Sequence, residues 1–553
     1  MIGVLSKDSE TRAVEEFFQL FKTPWEFYAP QRSYDFVMAT TEEVPRDLNV
    51  KALAIYSSKK TRFDDENSSV VRAGQTGMSL DWSGAELPVY GEVRAFAATE
   101  GAFLKLKGSA QAAGVRTGHS QRQTLRIGYD LFQEVFFLLS QGQPPENARI
   151  PTLELHIALL RECMMAAGVR FVEIPPAPAG YDFMACLTHD VDFVGIRQHK
   201  FDHTMWGFLY RALVGSTTDA IKGRLAWRKL AQNWKAALSL PLVQLGLLPD
   251  FWLEFDRYRQ IEKGLGSTFF FIPYKGVAGE QVTGQAPKRR AVQYDFAEMS
   301  EQVRDLAENG CEIGLHGIDA WKNSEKGRKE MERIRELAGP SAVGARIHWL
   351  YFAESSPKNL EEAGCSYDST CGYNDAAGFR AGTAQAFCPP AAKNLLELPL
   401  TIQDTALFYP SRMNLAPARA MERCLDVLRS AETYGGTVTV NWHTRSLSPE
   451  RLWGEFYAEL LKQMQSRRVW FATGAEIVRW FRRRRALRFD SVKFDENGVQ
   501  MKLTGAKLNG QPSFVLRVYD PKTVSAGTAT LPVSRPAYRD TRWMGETELR
   551  IAS

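Results

Sequence analysis

Between about residues 181 and 485 the apolar positions come in short bursts, separated by stretches where they recur every three or four residues. The bursts are Phe183–Leu187, Ser267–Ile272, Glu312–Leu315, Ala345–Trp349, Glu397–Leu400, Thr437–Asn441 and Val469–Ala472. Each is short and apolar or β-branched, as strands covered on both faces are. The helical period shows in Phe296–Asn309, Glu325–Leu337 and Pro417–Tyr434. Strand and helix in alternation predict an α/β fold with a parallel sheet, here a distorted (β/α)7-type barrel. In such barrels reactive groups gather where the strands end.

The flanks read differently. Before residue 175 the pattern mixes a short amphipathic helix (Glu15–Phe21), a buried strand (Ala52–Tyr56), a polar, turn-rich stretch over 57–85, and strand-like Leu87–Tyr90 and Val93–Phe96. Two stronger helices follow at Asp130–Leu139 and Pro151–Ala167. The segment from Ile174 to Gly180 holds three prolines, which suit neither helix nor strand interiors. The expected division is an α+β accessory domain over 1–175, the barrel over 176–488 and a small β-rich domain over 489–553. Turn signals in the last part are Asn497-Gly498 and Asn509-Gly510. The Arg482–Arg485 cluster reads as a solvated helix end, where cations suit the dipole. A helical insertion over about 196–262 separates the first two barrel strands and is rich in aromatic and basic residues, among them Trp206, Arg224, Trp227, Arg228, Lys229 and Trp234. It reads as a lid on the barrel rim, with peripheral membrane contact as the second reading.

Composition narrows the class. A chain of 553 residues exceeds what one core supports. The net charge of +5 is small for that length and gives no reason to invoke nucleic acid. Seven cysteines without a Cys-x-x-Cys pair suggest reduced thiols and a cytoplasmic setting. The opening residues lack the pattern of a secretory signal, and no apolar run is long enough to predict a transmembrane segment.

The chemistry lies at the predicted strand ends. Thr188-His189-Asp190-Val191-Asp192 presents two acids to one side, because strand side chains alternate. Buried acids of one sign need a cation or a proton-transfer task. Three later strands end in histidine segments: Leu315-His316, Arg346-Ile347-His348-Trp349 and Asn441-Trp442-His443. A divalent ion, best zinc, would take Asp192, His316 and one further group. Asp190 would then be free to accept a proton and His443 to return one to a leaving nitrogen. His189 should point away from the acids, and His119, His156, His199 and His203 read as structural.

These segments resemble, in order, motifs of the polysaccharide deacetylases, the NodB-like group also called carbohydrate esterase family 4. The resemblance covers about residues 181–485. It implies a distorted parallel barrel, a divalent metal and removal of acetyl groups from sugars. It makes Asp190 the base and Asp192 a ligand. One departure stands out: the second motif normally reads His-x-x-x-His, and four residues after His316 is Ala320. His348, where the family has proline, is the preferred substitute ligand, with Asp319 as the other nearby donor. Arg346 is expected to hold the base carboxylate or a substrate oxygen. Trp349 and Trp442 are expected as pocket walls, and Asp368 and Arg380 as polar candidates near the substrate. The resulting expectation is a metal-dependent deacetylase for an N-acetylated glycan or glycoconjugate. A non-catalytic glycan-binding scaffold and a hydrolase of a non-sugar amide are the alternatives.

Overall fold

The strand Phe183–Val191 is buried along its whole length and organises the central sheet. It pairs in parallel with three others: Ser267–Phe271, Thr437–Asn441 and Val469–Phe471. Thr437–Asn441 overlaps the register of both other partners, so it must occupy the opposite edge. The Ser267–Phe271 and Val469–Phe471 strands therefore share one edge, at successive stretches. From Ser267–Phe271 the sheet continues through Glu312–Gly317, Ala345–Ile347, Tyr367–Asp368 and Leu396–Glu397. On the other side Ile402–Gln403 joins Thr437–Asn441. All pairings are parallel, and the curled sheet is a distorted (β/α) barrel.

This computed structural model describes residues 1–45, 48–66, 74–97, 100–119, 122–223, 225–339, 343–505, 512–521 and 538–552. Arg224, the Asn509-Gly510 turn and the side chain of His119 lie outside the described residues. Helices fall where the 3.6-residue period placed them, at Ser300–Glu308, Ser324–Ala338 and Pro417–Tyr434. The predicted Ala345–Trp349 strand stops at Ile347, because Trp349 and Leu350 turn into the left-handed region (φ 62° and 54°). Such a conformation costs a non-glycine residue about 1–2 kcal/mol. The neighbours hold it: Asn374 Nδ2 donates to the Trp349 carbonyl at 2.9 Å.

The N-terminal part carries a second sheet of nine strands, parallel from Trp25–Phe27 through Arg122–Ile127 and antiparallel beyond. The stretch 57–85, read as turns, contains the strand Gln75–Trp82, paired with Ala85–Val93. Ser83 and Gly84 both have positive φ (51° and 81°), the hairpin turn that matches strand twist. A two-residue Ser-Gly signal was available there.

The Arg482–Arg485 cluster is a solvated helix end only at Arg482. Arg484 is buried and donates to the carbonyls of Gln19, Leu20 and Ile174, and Arg485 pairs with Glu16 at 2.7 Å. The helix C-terminus thus fastens the N-terminal part to the barrel. The strand Val515–Tyr519 pairs with Phe171–Glu173, while Val499, Met501 and Leu503 extend the barrel's apolar core.

The insertion forms helices His203–Leu209, Ser216–Ile221 and Trp227–Gln244 around a small core of its own, including Ile196, Phe208, Val243 and Trp252. Its outward side is apolar. Phe201, Trp227 and Leu238 are 81%, 70% and 75% exposed, and Trp206, Ile221 and Leu245 are exposed beside them. No helix among the described residues is long and apolar enough to cross a membrane.

Candidate metal centre and active site

Alternation along the first barrel strand points Thr188, Asp190 and Asp192 inward and His189 outward. His189 is fully buried on the far side, bonded through Nδ1 to the Trp442 carbonyl at 2.8 Å and paired with Glu262. It is structural, as its place in the strand implied.

Three inward groups converge. Asp192, His316 and His348 present ligand atoms within 4.8 Å of one another. Backbone carbonyls fix both imidazoles. His316 Nδ1 donates to the Arg346 carbonyl at 2.9 Å, and His348 Nε2 donates to the Arg290 carbonyl at 3.0 Å. The remaining nitrogens, His316 Nε2 and His348 Nδ1, therefore carry lone pairs and face each other across 3.0 Å. Asp192 Oδ1 lies 3.3 Å from both and is buried without a hydrogen-bond partner. Three acceptors around one point, with no donor between them, fit a divalent cation. The carbonyls behind the two imidazoles act as such partners do in metal sites, fixing the tautomer and aiming the ring. Burial pushes His348 below the usual imidazole range, and His316 and Arg290 nearby add to that, so its neutral form is favoured.

Arg290 shapes this end of the site. Its carbonyl orients His348 while its guanidinium donates to the carbonyls of Ala278, Ile318 and His348. Removing that side chain should loosen the loop that presents His348. Arg290→Ala is expected to weaken metal binding by about 10–100-fold, the range found when supporting partners of metal ligands are lost. Competition against a chromophoric zinc chelator measures it, and unchanged affinity would count against the assignment.

Ala320 cannot hold the usual second histidine of the motif. It is fully buried, and a Cβ added at Gly327 would lie 3.0 Å from its own Cβ. The helix Ser324–Ala338 packs directly onto it, leaving no space for an imidazole. Asp319 is engaged elsewhere, accepting from the Glu280 N–H at 2.7 Å and from Lys326 at 3.1 Å. The structure brings His348 to the cluster and turns Asp319 away from it.

Asp190 sits beside the cluster but is held differently. Arg346 Nη1 donates to Asp190 Oδ1 at 3.1 Å, and Asn441 Nδ2 donates to Oδ2 at 2.7 Å. Burial alone would raise its pKa, but His316, Arg346 and His443 outweigh that and keep it ionised. Across the cavity, His443 Nε2 is 4.0 Å from Asp190 and 3.8 Å from Asp192. Its Nδ1 donates to Asp404 Oδ1 at 2.7 Å, its own backbone N–H donates to Asp404 Oδ2 at 2.7 Å, and the Ser446 hydroxyl adds a further bond. Burial would lower the His443 pKa; Asp404 first, then Asp192 and Asp190, reverse this and raise it to about 10. Nε2–H is thus left facing the cavity.

Asp190, Asp192, His316, His348 and His443 line one cavity of about 560 Å³, between the barrel mouth and the insertion, with Arg346, Asn441 and Asp404 behind them. Trp349 stands in its wall, as predicted. Three other candidates do not. Trp442 is fully buried on the opposite strand face from its neighbours, stacked on Tyr457 at 5.0 Å and Phe456 at 5.8 Å. Asp368 is enclosed in the barrel beside Glu397, and burial pushes it up to about 6. Arg380 donates to the Gly372 carbonyl and packs against Gly142 of the N-terminal part. Alternation turns Trp442 away, the two-residue strand Tyr367–Asp368 carries no readable pattern, and Arg380 lies in an irregular stretch between strands. His199 and His203, read as structural, both border the cavity, His199 pairing with Asp202 at 2.6 Å. His156 is a core residue bonded to the Tyr129 hydroxyl. The described cysteines are free thiols, as expected of small apolar packing residues.

Asp404, Asn441 and Arg290 were not anticipated. Asp404 follows the strand Ile402–Gln403, so an acid at a strand end was the available signal. Arg290 ends a single 3-10 turn, Lys288–Arg290, away from any strand end, and offers none.

No family model and no curated protein matches the chain. Solved structures do overlap it. A protein described as a polysaccharide deacetylase from Mycobacterium smegmatis is 21% identical, over 56% of this chain and 95% of that one, with a TM-score of 0.33. PuuE allantoinase is 16% identical, over 55% and 92%, with a TM-score of 0.31. Agd3, a carbohydrate deacetylase, covers 100% of this chain and 99% of its own at 8% identity and a TM-score of 0.35. The two positions that depart from the deacetylase motifs noted in the sequence, Ala320 and His348, lie at or beside the Asp192–His316–His348 cluster.

Proposed function

We propose that the protein is a metal-dependent hydrolase that removes an acetyl group from an N-acetylated sugar. One observation carries this reading: the convergence of Asp192, His316 and His348 within reach of two differently tuned proton carriers, Asp190 and His443. Asp192 Oδ1, His316 Nε2 and His348 Nδ1 would hold a divalent ion, zinc being suited to this donor set. Such an ion supplies Lewis-acid activation of the acyl carbonyl and of water. The rest belongs to the chain. Arg346 and Asn441 fix the Asp190 carboxylate so that it accepts the proton of the attacking water. Asp404 holds His443 by Nδ1, so that Nε2 donates to the departing nitrogen. Amide cleavage needs both transfers, because an amine leaves only when protonated. The cavity is large enough for a sugar ring with its acyl arm, and Trp349, Tyr409 and Trp453 give it aromatic walls.

The test is acetate release from N-acetylated oligosaccharides and sugar conjugates. Activity is expected to vanish with chelator, return with zinc or cobalt, and fall by about 10²–10⁴-fold in Asp190→Asn, as loss of a general base does. Metal-loaded protein that releases no acetate across a broad panel sinks the reading. Absence of metal after loading favours a non-catalytic glycan-binding protein, and activity confined to small cyclic amides favours the non-sugar alternative.

The insertion suggests where the protein works. Residues 200–248 hold seven Lys or Arg against two acids, interleaved with the exposed tryptophans and leucines. Aromatic and aliphatic groups flanked by cations suit an anionic lipid surface. The full chain is expected to sediment with vesicles containing phosphatidylglycerol, less so at high salt, and Trp227→Ser with Leu238→Ser to reduce the bound fraction. Recovery in the supernatant at low salt removes this proposal.

A further inference from the structure

The floor of the cavity is acidic and imidazole-rich, but its outer wall is cationic. Arg211, Arg289, Arg412 and Arg451 all border it. Among the described residues, none of the four has a carboxylate within salt-bridge distance. Other arginines of the barrel do have one: Arg445 pairs with Glu450 at 2.9 Å, Arg346 with Asp190 at 3.1 Å, Arg333 with Asp295 at 2.6 Å. The contacts these four make are to neutral groups. Arg451 donates to the Tyr409 hydroxyl at 2.7 Å, Arg412 to the Thr405 hydroxyl at 2.7 Å, and Arg211 to the Gly207 carbonyl at 3.2 Å. The guanidiniums of Arg451 and Arg412 lie over the Tyr409 ring at 4.6 and 5.3 Å. Arg289 stacks on Trp349 at 5.7 Å from the other side.

Like charges gathered at one cavity wall are unfavourable unless something negative is to be bound. Arg445 sharpens this: it is buried at the same wall, and its Nη2 has no hydrogen-bond partner. Burial lowers its basicity, to a pKa of about 10. Guanidinium groups present donors in a fork that fits phosphate oxygens, and stacked arginines lose little freedom on binding. A free hexosamine or a neutral glycan has no use for such a wall.

We propose that Arg211, Arg412 and Arg451 form a subsite for a phosphoryl group carried by the substrate, so that the acylated sugar reaches the metal cluster as a phosphate or diphosphate conjugate. This rests on the hydrolase reading for the sugar end but concerns binding alone. Two sources supply that chemistry, a soluble sugar phosphate and a lipid-linked one. Arg211 belongs to the insertion whose outer side is apolar and basic, which places the lipid-linked source within reach.

The experiment is calorimetric titration of the metal-loaded full chain, at low and high salt, with N-acetylglucosamine and N-acetylglucosamine 1-phosphate. A third arm uses N-acetylglucosamine on a polyprenyl diphosphate in vesicles. The phosphorylated sugar is expected to bind about 10–100-fold tighter than the neutral one, a span that one or two charge-assisted hydrogen bonds provide. The gap should shrink with salt, close in Arg412→Gln/Arg451→Gln while that variant keeps the parent's circular dichroism and melting temperature, and persist in part in Arg412→Lys/Arg451→Lys. A gap in the soluble pair assigns a free phosphate conjugate; a gap only in the vesicle arm assigns a lipid-linked one. Equal affinity in all three arms, or a gap that survives the glutamine variant, overturns the proposal. Because no turnover is read, a phosphate preference without acetate release would leave this subsite standing and remove the deacetylase reading. Acetate release from neutral glycans without any preference would do the reverse.

Discussion

His348→Ala is expected to abolish both metal retention and hydrolysis. The residue supplies one of three lone pairs that meet at the cluster, and the described structure offers no replacement. Asp319 is turned toward Glu280 and Lys326, and Ala320 is locked under the helix Ser324–Ala338. The loss of affinity should exceed the roughly 10–100-fold that removing a supporting partner costs. Atomic absorption after dialysis, together with acetate release, measures it. A sharper outcome concerns the missing motif residue. Restoring the usual pattern with Ala320→His in the His348→Ala background should fail to bring the metal back. An imidazole at 320 would be driven into the helix at Gly327, where overpacking costs about 1–3 kcal/mol. Full recovery of metal and activity in that double variant would show that the cluster is wrongly assigned.

The second large effect belongs to His443. His443→Ala should lower kcat by about 10²–10⁴-fold, as loss of a general acid does, while metal content stays unchanged. Asp404→Asn tests the pair from behind. It keeps the shape but removes the charge that holds the Nδ1 proton and favours the imidazolium. The alkaline limb of the kcat profile should move to lower pH, because the group is stabilised in its charged form by Asp404 and loses that support. The outcome that sinks the assignment is full activity in His443→Ala, or an Asp404→Asn profile that superimposes on the parent's.

Much of the barrel was legible because its strands are covered on both faces. A buried strand announces itself as an apolar burst, and Thr437–Asn441 and Pro417–Tyr434 fall within the same limits in sequence and structure. Two-residue strands have too few positions for any pattern, so the apolar bursts give no sign of Tyr367–Asp368 or Ile402–Gln403 and place Leu396–Glu397 at Glu397–Leu400. Asp368 was misplaced for that reason. Trp442 obeys strand alternation: between the inward-facing Asn441 and His443 it turns outward and packs on Phe456 and Tyr457.

What the chain fixed by itself is local and periodic: which segments are strands, and that the acids at 190 and 192 share one side. Histidines at three other strand ends follow from the same reading. Which of these groups meet is a matter of distances between segments far apart in sequence, and only the folded barrel decides it. Loop geometry chose His348 over Asp319, a helix packed on Ala320 closed the usual route, and Arg290 set the orientation of an imidazole 58 residues away. The cationic wall was invisible for the same reason, since Arg211 and Arg451 become neighbours only when the insertion folds back over the barrel mouth.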